Sequence, residues 1–258
     1  MISSIAYGAK SAASKLERME IERDEPKDNE IQIAVLYAGV CHSDIHQVKN
    51  EWKNTLYPCI PGHEVVGKVT KTAKGGRFKE GDIVGVGCMI DSCRQCAPCQ
   101  CGDQNYCEGH NGWLATYNGP MVPAGMTDDG VNTYGRDNTF GGYSDTLVVA
   151  EDFVLSIPDA LDIKAAAPIL CAGVTVYSPM KHWGVKAGDK VGIVGFGGLG
   201  DMAAKIAKAL GAEVTLFTTT QEKIGEAAQL GAKGVLESDK DTLKALERTY
   251  TAVRERRR

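Results

Sequence analysis

Four cysteines fall within one short stretch of the chain, and they constrain its fold more than any other feature. Cys93 and Cys96 form one Cys-x-x-Cys step, Cys96 and Cys99 form a second, and Cys107 follows closely. A structural zinc ion takes four thiolates in a tetrahedron, and cysteines at this spacing can surround one point. The sequence therefore predicts a closed zinc site. The alternative is a pair of disulfides, which is typical of a small secreted domain.

Composition narrows the class of protein further. The chain has 258 residues, of which 43% are hydrophobic and 24% charged, and this is typical of a globular protein with one large domain or two ordinary ones. A net charge of −4 argues against nucleic-acid binding, and nine cysteines, an odd number, argue against a complete disulfide framework. Residues 1–8 show no secretory signal and no apolar run is long enough for a membrane helix. We therefore expect a cytoplasmic protein with no nucleic-acid or membrane partner.

Two domains are predicted, with the boundary after residue 156. Residues 1–156 are rich in short strands and glycine-containing turns, and they include the structural zinc lobe at 88–108. Small and apolar residues recur in helical steps over 162–183, and strands then alternate with helices from Lys190. Residues 157–258 are thus predicted to be an α/β nucleotide-binding domain. The strand candidates of the first domain lie at 31–37, 65–70 and 82–86.

A glycine-rich loop connects a short apolar strand at 191–194 to a helix that Gly211 ends. In this context a G-x-G-x-x-G pattern predicts a pyrophosphate site, because glycines let the backbone approach the phosphates at the helix N-terminus. The alternative is a tight turn without a ligand. The residues predicted to contact the cofactor are Gly195, Gly197, Gly198, Leu199 and Gly200.

The end of the next strand favours NADP(H) over NAD(H). An NAD site usually has Asp or Glu at this point to accept the ribose hydroxyls. Here the strand ends in Thr218, Thr219 and Thr220, with Lys223 following, and these groups can hold a 2′-phosphate without a carboxylate to repel it. The alternative is that the threonines are simple strand formers and that Thr220 caps the next helix.

A second metal site is predicted from residues that are distant in sequence. Cys41 follows a predicted strand, His63 lies some twenty residues later, and Cys171 lies much further along. Each one alone is more typical of core packing. Together they offer two thiolates and one imidazole and leave a fourth position free, which is the composition of a catalytic zinc site.

With these motifs in view, the chain resembles the zinc-dependent medium-chain alcohol dehydrogenases of the cinnamyl alcohol dehydrogenase type. The motifs that carry the resemblance run in the family's order from about residue 30 to 235. They are Gly39-Val-Cys41-His-Ser-Asp44, Pro61-Gly-His63-Glu64, the four-cysteine lobe, Cys171-Ala-Gly-Val-Thr175 and Gly195-Phe-Gly-Gly-Leu-Gly200. The resemblance implies an α/β fold, with a GroES-like β-rich catalytic domain and a Rossmann doubly wound parallel sheet.

The resemblance also implies roles for individual residues. Cys41, His63 and Cys171 would bind the catalytic zinc, and Glu64 would be an outer or exchanged ligand. Asp44 would orient the His63 ring. Ser43 would supply the hydroxyl beside the substrate oxygen, and His46 would be the end of the proton relay towards solvent. Trp52 and Trp113 would line the substrate pocket.

The implied enzyme contains two zinc ions per chain and uses NADP(H) to interconvert small alcohols and aldehydes, with aldehyde reduction favoured. Full-length relatives are expected to be homodimers.

A complete doubly wound sheet has six strands, and only three are identified here, near Val191, Val214 and Val235. Residues 248–258 do not resemble the next strand, and from Arg254 they are predicted to be a solvated tail. We therefore expect a C-terminally truncated chain, and the alternative function is an inactive zinc-binding relative.

Overall fold

The computed structural model describes residues 1–109, 114–119 and 138–255, the last four of these by their backbone alone. Trp113, one of the two predicted pocket residues, lies outside the described residues. In the part of the chain that is described, no single helix is long and apolar enough to cross a membrane.

The chain forms two compact units, Met1–Cys171 and Ala172–Arg258. The first unit continues past the predicted boundary after residue 156, because Ala166 and Leu170 are buried in one cluster with Val66. A compact unit is not the same as an evolutionary domain, so the predicted domain limits stay predictions.

Antiparallel strands make up most of the first unit. They are β1 (Ile2–Gly8), β2 (Glu17–Arg23), β3 (Glu30–Ala38), β4 (Val65–Lys71), β5 (Ile83–Val86), β6 (Met89–Asp91), β7 (Leu114–Ala115), β8 (Thr146–Ala150) and β9 (Val154–Ser156). The largest sheet has the order β8-β3-β4-β5-β9, while β1-β2 and β6-β7 are two-stranded. Alternate side chains of the large sheet, such as Ile31, Ile33 and Leu147, are fully buried in its core.

Short helices connect these strands. The pairing of β3 with β4 determines where the predicted open metal site lies. The α-helices are α1 (His42–Val48), α2 (Ala97–Gln100) and α3 (Ile163–Ala166), and 3-10 turns lie at Gln104–Tyr106, Glu151–Phe153 and Ala167–Leu170. Because β3 and β4 are antiparallel and Ala38 pairs with Val65, the residues after β3 and before β4 meet at one end of the sheet. This arrangement brings Cys41 towards His63.

The second unit alternates helices with parallel strands. Its elements are α4 (Ala172–His182), β10 (Lys190–Val194), α5 (Gly198–Ala209), β11 (Glu213–Thr218), α6 (Gln221–Gln229), β12 (Lys233–Leu236), α7 (Lys240–Ala245) and β13 (Ala252–Glu255). The sheet order is β12-β11-β10-β13. This order matches the first strands of a doubly wound sheet, in which the chain moves outwards on one side and then crosses to the other.

One prediction for the last residues is wrong. The sequence indicated three strands, but the structure has a fourth strand, β13, which contains Arg254 and runs parallel to β10. The solvated tail predicted from Arg254 stays a prediction, because residues 256–258 lie outside the described residues. Val191 pairs with Ala252 in this ladder. The strand is short and half charged, so it shows no apolar pattern. Its pairing depends on backbone hydrogen bonds, which do not require apolar side chains.

Candidate metal and cofactor sites

The four predicted cysteines of the zinc lobe converge on one point. Their sulfur atoms all lie within 4.8 Å of one another. Cys93 Sγ lies 3.9 Å from Cys99 Sγ, and Cys96 Sγ lies 4.0 Å from Cys107 Sγ. Tetrahedral zinc with Zn–S bonds of about 2.3 Å requires sulfurs about 3.8 Å apart. The donor set and its spacing therefore fit one zinc ion with no open position.

Backbone N–H groups support thiolates in this lobe. The N–H groups of Gln95 and Cys96 donate to Cys93 Sγ over 3.4 and 3.3 Å, and that of Glu108 donates to Cys96 Sγ over 3.3 Å. Burial opposes ionisation of Cys93, but these N–H groups lower its pKa to about 6. Burial raises the pKa of Cys107 to about 12. Metal binding must therefore displace a proton from Cys107.

The lobe is fastened to the rest of its unit through Arg94. This side chain makes ion pairs with Asp91 over 2.8 Å and with Asp152 over 2.7 Å. Cys101, which lies two residues after Cys99, is exposed and does not belong to the four-sulfur group.

A second group of donors forms at the end of the large sheet. One ligand atom each from Cys41, His63, Glu64 and Cys171 lies within 4.8 Å of the others. The Sγ atoms of Cys41 and Cys171 are 4.0 Å apart, and His63 Nε2 lies 3.2 Å from Cys171 Sγ. Cys171 reaches the site because Leu170, the residue before it, is buried on the same sheet. Two sulfurs, one nitrogen and one carboxylate fit a zinc ion that keeps an exchangeable position.

The protonation of this group is set by its own members, by Asp44 and by burial. The hydrogen bond from Cys171, with a contribution from His63, lowers the pKa of Cys41 to about 3, and the same sulfur contact raises the pKa of Cys171. Burial opposes the charged form of His63, but the hydrogen bonds to Asp44 and Cys41, together with the nearby negative charges, outweigh burial and raise the pKa of His63 to about 10. Burial raises the pKa of Glu64. A metal ion must therefore replace protons held between these groups.

Asp44 organises the site from α1. Its buried carboxylate accepts the backbone N–H groups of Cys41 over 2.9 Å and Gly62 over 3.0 Å. It also accepts the Nδ1 hydrogen of His63 over 3.1 Å, which leaves Nε2 facing Cys171. The Tyr143 hydroxyl lies 3.3 Å from the same carboxylate. The Asp44 side chain thus positions the segments that carry Cys41 and His63, and it also orients the His63 ring.

Glycine at position 39 allows Glu64 to enter the site. A Cβ atom on Gly39 would lie only 2.0 Å from Glu64 Oε2. The Gly39 N–H also donates to the Glu64 carbonyl over 2.8 Å. Any larger residue would push the carboxylate away from Cys41 and Cys171.

The predicted relay residues lie on α1, and the structure adds a partner for one of them. Ser43 hydrogen-bonds to Cys41 through its backbone and its side chain. His46 Nδ1 contacts the Glu51 carboxylate, and the hydrogen bond to His46 lowers the pKa of Glu51. The Trp52 ring is half exposed and lies 5.5 Å from the His46 ring. Sequence reasoning missed Glu51, because a lone Glu after a helix is typical of a solvated loop.

Cys88 and Tyr143 were also missed. Cys88 lies outside the four-cysteine group, and its thiol hydrogen-bonds to Cys171. This bond lowers the pKa of Cys88 to about 7. No spacing rule connects Cys88 to Cys171, so only the fold could reveal the contact.

The glycine loop has the geometry of a phosphate site. Gly195 has a φ of +88°, and α5 begins at Gly198. A Cβ atom on Gly200 would lie 2.1 Å from the Gly195 carbonyl oxygen, so this glycine is required for close packing of the turn. A Cβ atom on Gly198 would meet nothing within 4 Å. This open space lies at the first residue of α5, where a bound pyrophosphate would need room.

The threonines at the end of β11 and just after it differ in exposure. Thr218 is buried and its hydroxyl accepts the Thr220 N–H over 3.5 Å, whereas Thr219 and Thr220 are exposed and Lys223 is partly exposed. Thr220 precedes α6 but makes no side-chain cap hydrogen bond. The capping alternative therefore does not account for Thr220, and two exposed hydroxyls and one ammonium group remain available to a ligand.

Comparisons with known proteins agree with this geometry. A family model described as Alcohol dehydrogenase GroES-like domain matches residues 27–159, and one described as D-isomer specific 2-hydroxyacid dehydrogenase, NAD binding domain, matches residues 178–244. The chain is 47% identical to Aldehyde reductase YahK of Escherichia coli, over 90% of this chain and 63% of the relative. It is 42% identical to NADP-dependent alcohol dehydrogenase C 1 of Mycolicibacterium smegmatis, over 96% of this chain and 68% of the relative. A solved cinnamyl alcohol dehydrogenase from Sorghum bicolor matches with a TM-score of 0.87 and 41% identity, over 98% of this chain and 69% of that chain.

Fold and donor groups together define a class of protein that combines a GroES-like domain with a nucleotide-binding sheet, the architecture of zinc-type dehydrogenases. The chain belongs to the medium-chain alcohol dehydrogenase family, and its relatives place it with the cinnamyl alcohol dehydrogenase type. The predicted resemblance and fold class are confirmed. The chain spans 63% of the length of its Escherichia coli relative, so the activity, substrates and partners of the whole protein are proposals.

Proposed function

We propose that the protein interconverts small alcohols and aldehydes with NADP(H), favouring aldehyde reduction, and holds two zinc ions per chain. The observation that carries this proposal is the open donor group of Cys41, His63 and Cys171, next to the hydroxyl-bearing Ser43. The names of the two curated relatives, an aldehyde reductase and an NADP-dependent alcohol dehydrogenase, support the same reaction class.

The residues of the open group have separate tasks. Cys41, His63 and Cys171 hold the ion, Glu64 lies within reach as an outer or exchanged ligand, and Asp44 keeps the His63 ring in position. A bound zinc ion would supply Lewis-acid polarisation of the substrate oxygen, and bound NADPH would supply the hydride. The four-cysteine group is complete without substrate, and its task is to stabilise its own lobe.

Protons reach the substrate oxygen through α1. Ser43 and His46 are three positions apart, so they share one face of the helix. We assign Ser43 as the group that donates to the substrate oxygen and His46 as the group that exchanges the proton with solvent. Glu51 holds Nδ1 of His46, which fixes the tautomer and leaves Nε2 for transfer.

The cofactor is assigned to the second unit as NADP(H). The loop residues Gly195, Gly197, Gly198, Leu199 and Gly200 would hold the pyrophosphate. Thr219, Thr220 and Lys223 would hold the 2′-phosphate, and the buried Thr218 would support the turn through its hydroxyl.

Because Thr218 is buried, Thr219→Asp is a cleaner test of the cofactor assignment than Thr218→Asp. It should shift preference towards NAD(H), since a carboxylate repels the phosphate and accepts ribose hydroxyls. Equal use of both cofactors, unchanged in the variant, would refute the assignment.

Complete donor groups favour an active enzyme over the alternative of an inactive zinc-binding relative. A cytoplasmic location, a homodimer and a pocket lined by Trp52 and Trp113 remain predictions.

The proposed reaction is tested by measuring NADPH oxidation with a small aromatic aldehyde, using the zinc-loaded chain. Cys171→Ser should abolish the aldehyde-dependent rate, while Cys101→Ser, which alters an exposed thiol outside both groups, should retain it. An equal rate in both variants would contradict the proposal.

A further inference from the structure

Two histidines on α1 lie side by side. His42 and His46 are four positions apart, and their ring centroids are 4.4 Å apart. His42 is exposed and His46 is partly exposed, so both imidazoles reach solvent. Histidines at this helical spacing can share one metal ion, because their side chains lie one turn apart on the same face.

Glu51 prepares one of these rings for metal binding. Its carboxylate contacts Nδ1 of His46, and this contact leaves Nε2 as the ligand atom. Metal-binding histidines commonly have a carboxylate on the other ring nitrogen, which orients the ring and increases its basicity. The Trp52 ring lies 5.5 Å from the His46 ring and restricts its movement on a further side.

We propose that His42 and His46 form a third metal site, separate from the two cysteine-containing groups. It would take a divalent ion that prefers imidazole, such as Ni²⁺, Cu²⁺ or Zn²⁺. His42 and His46 Nε2 supply two ligands, Glu51 orients the second ring, and water completes the shell. Without thiolates or burial, the ion exchanges with solvent, unlike zinc in the cysteine groups.

Occupation of this site has a consequence for turnover that rests on the proposed function. His46 is the proposed group that exchanges a proton with solvent, and a metal ion on Nε2 removes the lone pair that accepts the proton. Excess divalent metal should therefore slow aldehyde reduction although both zinc groups stay filled. Metal binding itself does not depend on this assignment.

The test is calorimetric titration with Ni²⁺ of the chain loaded with zinc, with zinc retention checked by mass spectrometry. His42→Gln should weaken nickel binding at least tenfold, and Glu51→Gln should weaken it about tenfold, as loss of an orienting carboxylate does elsewhere. His182→Gln, at a lone exposed histidine in the second unit, is the matched control and should bind as the parent does. Equal binding by the parent and His42→Gln would overturn the site.

A second measurement separates the site from its effect on turnover. Nickel should slow aldehyde-dependent NADPH oxidation in the parent, and the slowing should disappear in His42→Gln. Slowing that persists in His42→Gln would overturn the link to His46. A chain that binds nickel at the pair but shows no turnover would support the site and contradict the proposed function instead.

Discussion

The two donor groups of the first unit differ in how they are built. In the four-cysteine group all ligands come from residues 93–107, and backbone N–H groups of Cys96 and the adjoining Glu108 support the sulfurs. In the group of Cys41, His63 and Cys171, ligands come from three distant places and are joined by a sheet end and by Asp44.

This difference separates stability from chemistry. Four sulfurs would close the shell around a zinc ion, so nothing else could bind there, and the ion would stabilise a small lobe. In the proposed function, two sulfurs and one nitrogen would leave a position that Glu64 or a substrate oxygen could take. A site that must open needs support from outside its own segment, and Asp44 provides that support.

The largest expected effect is on the closed group. Cys96→Ser removes one thiolate from a shell that has no substitute, so the chain should lose one zinc ion and much of the lobe's stability. Structural zinc sites in small peptides contribute about 10 kcal/mol or more at neutral pH. Zinc content per chain and thermal unfolding measure the loss, with Cys101→Ser as the control. If Cys96→Ser kept its zinc and its melting temperature, the closed shell would be disproved.

A smaller effect is expected at the support of the open group. Asp44→Asn keeps the shape of the side chain but removes the charge that orients His63. Zinc affinity of the open group should fall about 10–100-fold, while the four-cysteine group keeps its ion. Chelator competition measures both affinities, and Asp239→Asn makes the same chemical change in the second unit. Equal weakening of both groups would show that they are not independent.

The smallest effect concerns the approach of Glu64. Gly39→Ala would place a Cβ atom 2.0 Å from Glu64 Oε2, and overcrowding of this kind costs about 1–3 kcal/mol of unfolding free energy. Gly225→Ala, in an exposed turn of α6 with nothing within 4 Å, should instead stabilise the chain by about 0.5–1 kcal/mol. Denaturant unfolding distinguishes them. Stabilisation by both would mean that Glu64 does not need the space at Gly39.

The same contrast explains what sequence could predict. The four-cysteine group could be predicted because all its ligands lie in one segment at the spacing of metal ligands. The chemical identity of the open group was accessible from residue types and family motifs, but its supporting contacts were not. Glu51 and Tyr143 reach the site through turns whose directions depend on the whole fold. Cys88 meets Cys171 for the same reason.

The strands show a similar limit. β3, β4 and β5 were recognisable because buried residues recur along them with the period of a sheet. β13 was not, since a four-residue strand with Arg254 and Glu255 pairs through its backbone and shows no such period. The position of Thr218 inside the second unit also depends on packing that no local pattern records.

Cobalt(II) substitution tests the central claim, that one donor group is closed and the other is open. The chain should take up two cobalt ions, and only one of them should change its visible spectrum when a small ligand such as imidazole is added. Cys171→Ser should remove that responding ion and leave the other unchanged. A single cobalt ion per chain, or a spectrum in which neither ion responds to added ligand, would contradict the account.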